Sequence, residues 1–195
     1  GKAGWLEKAR QQPEKVKQVL DKIRTDGLIP TVEAVFNKLD EPVPLGYCNA
    51  GVVIEVGPGI LDLQPGDRVV SNGPHAEFVT IPRNLCAKIP EAVSDEEAAF
   101  TVLGAIALQG VRLATPTLGE RFMVFGLGLV GLLTVQFLRS SGCPILAVDV
   151  SQERLKLAES FGAETVDLCK GTDPVAVALA WTNGQGVDGA IIAAS

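Results

Sequence analysis

The sequence predicts an α/β protein in which a helical hairpin precedes a small, highly turned β-structure and then a doubly wound parallel sheet. Three observations carry that expectation. Residues 42–90 consist of short β-branched runs cut by Gly and Pro; from Arg121 onward apolar strand-like runs alternate with helix-like runs; and the first strand-to-helix joint of that second part reads Gly126-Leu-Gly-Leu-Val-Gly131.

The 195 residues are 47% hydrophobic and 21% charged, enough apolar material for a sizeable core in one large domain or two small ones. A formal net charge of −6 repels phosphates, so nucleic acid is not an expected partner. Cys48, Cys86, Cys143 and Cys169 form no C-x-x-C pair and no disulfide-like spacing, which predicts reduced thiols in a soluble, cytoplasmic protein. The stretch Gly1 to Arg24 is studded with Lys, Glu and Gln and has no signal-peptide core. Phe122 to Leu138 is uncharged, but three glycines crowd its front. A strand, a glycine turn and a buried helix account for those letters better than a membrane span, and no membrane association is expected.

Taken in order, Val16, Val19, Leu20 and Ile23 repeat at helical spacing before Gly27, and Val32, Val35, Phe36 and Leu39 do so after a Thr31 cap, which predicts a hairpin over 1–41. Its apolar stripes suit packing together, covering the next domain or docking a partner, with packing favoured. Over 42–112, strands are expected at Gly51–Val56, Arg68–Val70 and Ala76–Ile81, then a helix from Ser94 to about Arg112 opened by the capping box Ser94-Asp-Glu-Glu97. Over 113–195 the expected order is strand 122–125, helix 129–139, strand 145–150, helix 152–161, a short strand near 165–168, a helix from Pro174 and a strand over 189–194.

A G-x-G-x-x-G run is weak alone in a chain with 21 glycines, but here it follows an apolar strand, opens a helix and is followed at the end of the next strand by Asp149. Gly126 permits the tight turn, Gly128 lets backbone amides approach a pyrophosphate, and Gly131 lets the helix pack on the strand; Leu129 and Val130 lie between them at the helix start, whose N–H groups and dipole suit a diphosphate. Asp149 is placed to accept the hydroxyl hydrogens of an adenosine ribose and to repel a 2′-phosphate. NAD is therefore favoured over NADP, although Ser151 and Arg154 would serve a phosphate if Asp149 turned away.

Several further motifs resemble those of the medium-chain dehydrogenase/reductase family, the zinc alcohol dehydrogenases and their relatives. Leu45-Gly-Tyr-Cys-Asn-Ala-Gly-Val-Val-Ile-Glu-Val-Gly57 is similar to the family's L-G-H-E-x-x-G-V-V-x-x-V-G, Leu63-Gln-Pro-Gly-Asp-Arg-Val69 to its P-G-D-R-V turn and His75-Ala-Glu-Phe-Val79 to its A-E-F/Y-V strand. Lys88-Ile-Pro90, Ala98-Ala99 and the glycine run follow in family order, with Arg154 where the family often has a basic residue facing the ribose. The resemblance implies a partial GroES-like domain followed by a truncated Rossmann domain, with NAD as cofactor, a small carbonyl, alcohol or enone as substrate, and a homo-oligomeric assembly. The first forty residues resemble the helical insertion of bacterial predicted dehydrogenases instead.

The departures are informative. Tyr47 stands where zinc-dependent members have a metal-binding His, Cys48 where they have Glu, and Leu103 near the position of a ligand Cys; the four-cysteine structural zinc loop has no counterpart. The one histidine, His75, reads as a turn or surface residue and not as a lone ligand. No zinc is expected. A Tyr47 hydroxyl or Cys48 thiol is a candidate for polarising a carbonyl, but no partner identifies either, and the catalytic residues are left unassigned. With only four strands of the usual six, the resemblance also implies that the strands around the nicotinamide lie outside this chain, which alone is expected to bind the ADP-ribose end and transfer no hydride. Two alternatives stand beside the zinc-independent oxidoreductase: a non-catalytic dinucleotide-binding scaffold, and a zinc alcohol dehydrogenase whose ligands lie elsewhere.

Overall fold

The computed structural model describes Gly27 and residues 46–194, so the expected hairpin over 1–41 lies outside the described residues. A three-stranded antiparallel sheet comes first, built from β1 (Asn49–Val52), β2 (Arg68–Ser71) and β3 (Cys86–Lys88) in that order. Two of its strands differ from expectation. The first begins at Asn49 and ends at Val52; beyond it only Val53 still bonds across, its N–H donating to Asp67 O and its carbonyl accepting from Gly66 N–H. Residues 76–81 form no strand: they find no ladder partner among the described residues, and a strand without a partner leaves its backbone groups to water. The edge position next to β2 goes instead to β3, which follows a 3-10 turn at Arg83–Leu85.

Charged residues of the Gln64–Val69 turn fasten this sheet. Asp67 accepts the Gln64 N–H at 2.9 Å and faces Lys88 Nζ at 2.8 Å, while Arg68 reaches the Asp95 carboxylate at 2.6 Å and the Val93 carbonyl at 2.9 Å. Arg68 thereby ties β2 to the start of α1 (Asp95–Ala98). The capping box is formed as expected, with Glu97 N–H donating to Ser94 Oγ at 3.2 Å and Ser94 N–H to the Glu97 carboxylate at 3.0 Å. The single helix expected here is two, because the backbone leaves α1 at Ala99 and restarts as α2 (Thr101–Ala114).

Strand and helix then alternate as expected: β4 (Phe122–Phe125), α3 (Leu129–Ser140), β5 (Ile145–Asp149), α4 (Gln152–Ser160), β6 (Glu164–Asp167), α5 (Pro174–Trp181) and β7 (Gly189–Ile192). All four strands are parallel, in the order β6-β5-β4-β7. This is the order produced when the chain winds outward from β4 in both directions. Alternation along the strands divides the core between the two faces: Phe122, Val124, Ile145 and Ala147 pack with Val135 and Leu138 of α3 and Leu155 and Ala158 of α4, whereas Met123, Leu146 and Val148 pack with Val166 of β6 and Ala178 of α5. Every residue of β5 is buried, as expected of a parallel strand covered on both sides. The uncharged stretch 122–138 is therefore a strand, a turn and a helix, and no described helix is long and apolar enough to cross a membrane.

Helix α2 links the two sheets. It packs along α3 and against β7, and also touches β2.

Candidate functional site

The glycine run lies at the C-terminal end of β4, the central position of the parallel sheet. Gly126 has φ +84, a conformation glycine adopts without strain, and its N–H continues the ladder to Val148 O at 2.9 Å. A Cβ there would lie 2.7 Å from Ala194 N. The constraint at Gly131 is tighter, since a Cβ would lie 1.9 Å from the Gly126 carbonyl oxygen. The chain can thus enter α3 across its own loop only with glycine at both places. Gly128 differs: a Cβ on it would meet nothing within 4 Å. It is the N-cap of α3, no side chain caps the helix, and no acidic residue occupies the first turn, so no side chain of the cap or first turn satisfies the N–H groups there. Leu129 is exposed and Val130 half-buried on that turn.

Asp149 ends β5 beside the loop, and its carboxylate is only 6% exposed. One oxygen accepts the Leu127 N–H at 2.6 Å and the other the Ser151 N–H at 2.8 Å. Each oxygen keeps further acceptor capacity. Burial pushes this carboxyl up, but the N–H groups of Leu127, Ser151 and Val150, with Arg154 nearby, outweigh it and hold it below the ordinary value of 3.8. Arg154 Nη1 lies 4.0 Å away on a half-exposed side chain. A lowered carboxylate pKa contributes stability that is present in full above the ordinary value and is lost as pH falls through the folded-state value. Melting followed from pH 6 into the acid range should accordingly show a loss that sets in below about 4, and Asp149→Asn should flatten that limb.

The structure therefore brings together Gly126, Gly128, Leu129, Val130, Gly131, Asp149 and Arg154 at one corner, where β4 and β5 end. Sequence reasoning missed two contributors. Leu127 is fully buried and its N–H fixes the Asp149 carboxylate, a role no sequence pattern marks. Ala193 and Ala194 back the loop, with Ala193 N–H donating to Phe125 O at 2.8 Å; the small side chains after an apolar strand were the available signal.

The positions compared above with family metal ligands are apart in kind as well as chemistry. Tyr47 is half exposed before β1, Cys48 is half-buried beside it and Leu103 sits within α2. Among the described residues no three His, Cys, Asp or Glu side chains gather in a way that would hold a metal ion. His75 lies on the loop after β2 and is exposed.

A helix opened by glycines, uncapped, with a buried carboxylate on the adjacent strand end, is the arrangement of a Rossmann-like α/β domain. Comparison with known proteins refines the class. Residues 130–195 match the family model described as zinc-binding dehydrogenase. (R,R)-butanediol dehydrogenase of Bacillus subtilis (strain 168) is 34% identical over a match covering 75% of this chain and 50% of that protein. Alcohol dehydrogenase TADH from Thermus sp. ATN1 superimposes with a TM-score of 0.72 at 29% identity, covering 77% of this chain and 55% of its own. Escherichia coli quinone oxidoreductase complexed with NADPH gives 0.65 at 26% identity, covering 75% and 49%. The chain belongs to the medium-chain dehydrogenase/reductase family. It spans about half the length of the relatives it matches.

Proposed function

We propose that the protein carrying this chain is an NAD-dependent oxidoreductase that transfers hydride between the nicotinamide and a small carbonyl, alcohol or enone, without zinc, and that 126–131, Asp149 and Arg154 hold the adenosine diphosphate half of the cofactor. The observation that carries the reading is the empty space at Gly128, in front of an uncapped helix and beside a buried Asp149. A diphosphate would accept from the first-turn amides of α3, and the ribose hydroxyls would donate to the remaining lone pairs of Asp149. The bound nicotinamide supplies the hydride; the chain's own contribution is to bind, orient and shield. NAD is favoured over NADP because a 2′-phosphate would approach an ionised Asp149, with only the half-exposed Arg154 to offset it.

Similarity to dehydrogenases favours an enzyme over a non-catalytic scaffold. The zinc-free reading is supported by the donor set at the family positions, where a phenol, one thiol and an aliphatic side chain make a poor site for Zn²⁺. Elemental analysis of the purified full-length protein should find less than a tenth of an equivalent of zinc; one equivalent per chain would overturn that part. The proposed division is a hairpin over 1–41, a GroES-like part over 42–112 and a Rossmann part over 113–195. The four free cysteines fit a cytoplasmic setting, and a homo-oligomer is the proposed assembly. Oxidation of NADH by the full-length protein with small aldehydes, ketones or enones tests the activity directly. NADH bound but never oxidised across such a panel would refute it.

A further inference from the structure

We propose that Asp167, at the end of β6, and Gln152, at the start of α4, are positioning residues for cofactor choice: together they latch the segment 150–154 so that Asp149 does not turn away from the ribose. The inference rests on the functional reading above and adds what keeps its discriminating carboxylate in place.

Strands β5 and β6 run parallel with Asp149 and Asp167 in register, so both strands end on a carboxylate at the same level and on the same face of the sheet, with backbones about 4.8 Å apart. The two side chains are 5% and 10% exposed. They serve different neighbours. Asp149 is tied to the glycine loop by the Leu127 N–H, whereas Asp167 holds the chain that follows each strand. One Asp167 oxygen accepts the Cys169 N–H at 2.9 Å, within the 3-10 turn Leu168–Lys170. The other accepts from Gln152 Nε2, with Lys170 Nζ 3.8 Å away.

The segment leaving β5 is held at three successive residues. Val150 O accepts from Cys169 Sγ at 3.3 Å, the Ser151 N–H donates to Asp149 Oδ1 at 2.8 Å, and Gln152 reaches Asp167. Ser151 is the N-cap of α4, yet its side chain makes no cap hydrogen bond, so the ties to β6 and its turn take the place of a local cap in fixing where the helix begins. Arg154 stands in the same first turn, with Nη1 4.0 Å from Asp149. Both groups that a 2′-phosphate would meet thus depend on this segment: Arg154 is part of it, and the Asp149 carboxylate keeps its orientation through the Ser151 N–H.

With the latch open, the Ser151 donor leaves Asp149 Oδ1, the carboxylate is free to rotate, and Ser151 and Arg154 are left to face the phosphate. The preference for NAD is then a property of two strand ends. Asp149 makes the contact, and Asp167 acts on it through Gln152 and Ser151 without touching the cofactor.

Calorimetric titration of the full-length protein with NAD and NADP tests the latch. Gln152→Ala changes no charge and removes the tie to Asp167; it should shift the ratio of the two affinities toward NADP by roughly three- to tenfold, the span of one net hydrogen bond. Its melting temperature should stay within about 2 °C of the parent. Asp167→Ala should shift the ratio likewise, whereas Asp167→Asn should hold it within about twofold of the parent, because Asn still accepts the Cys169 N–H and its Nδ2 can donate to a turned-over Gln152 amide. Action through Asp149 also requires non-additivity: added to Asp149→Ala, Gln152→Ala should leave the ratio unchanged within about twofold. An unshifted ratio in Gln152→Ala and Asp167→Ala, or a Gln152→Ala effect that persists in full beside Asp149→Ala, overturns the proposal. So does a shift in Asp167→Asn as large as in Asp167→Ala, which would make charge and not position the cause. A parent that binds neither dinucleotide brings down the earlier reading; an NAD preference that Asp149→Ala abolishes and Gln152→Ala leaves intact brings down the latch alone.

Discussion

Gly131→Ala and Gly128→Ala are expected to fail in opposite ways. A methyl group at 131 would sit 1.9 Å from the Gly126 carbonyl oxygen, a backbone atom that cannot swing aside, so α3 would have to move away from β4. Overpacking of this severity costs about 3 kcal/mol, and the melting temperature should fall by roughly 6–12 °C for a chain of this size. At Gly128 the methyl group meets nothing and φ is an ordinary −65, so the variant should melt within about 2 °C of the parent. It should nonetheless lose affinity for NAD and ADP-ribose by at least tenfold, because the methyl group takes the space assigned to the diphosphate. Scanning calorimetry and binding titrations on both variants check the pair. Unchanged NAD affinity in Gly128→Ala would remove the diphosphate from that place.

Asp149 carries the second large effect, and its two roles must be separated. In Asp149→Ala the buried Leu127 N–H and the part-buried Ser151 N–H lose their acceptor, at about 1–3 kcal/mol for the buried donor left unpaired. The ribose would lose hydrogen bonds to a charged acceptor, so NAD affinity should fall roughly 10- to 100-fold. The diagnostic quantity is the ratio: NADP should bind the parent much more weakly than NAD, and the variants should bring the two together, since the charge facing a 2′-phosphate is gone and Arg154 is released. Asp149→Asn retains an acceptor for one of the two N–H groups and should change the ratio with less loss of stability. Equal binding of NAD and NADP by the parent would sink the assignment of Asp149 as the discriminating residue.

What could be read from the sequence follows a physical division. The parallel part was legible almost to the residue, because consecutive units of apolar strand, glycine turn and helix bury themselves against near neighbours in the chain, and the caps at Pro174 and Ser94 are local chemistry. The antiparallel part was less so. Whether residues 76–81 become a strand depends on a partner supplied from elsewhere in the chain, and β propensity carries no information about that. At the site, Gly126, Gly131 and Asp149 were visible because steric need and charge restrict those positions to few residue types. The Leu127 amide and the Gln152–Asp167 tie were not, since any residue has an N–H, and Gln and Asp are common for many reasons.

The backing of the glycine loop by Ala193 and Ala194 has a consequence for how the parallel sheet holds together. Strand β7 joins β4 across more than sixty intervening residues, so its docking closes a long loop and belongs to the late part of assembly. The glycine loop rests against the residues that follow that strand, Ala193 and Ala194. Occupancy of the loop and docking of β7 are then thermodynamically linked: a ligand that requires the finished loop stabilises the docked strand by RT ln(1 + [L]/Kd), and slow amide exchange should spread from β4 into 189–192 when it binds. The cofactor would act as a clasp on the last strand of the sheet, beyond the residues it touches.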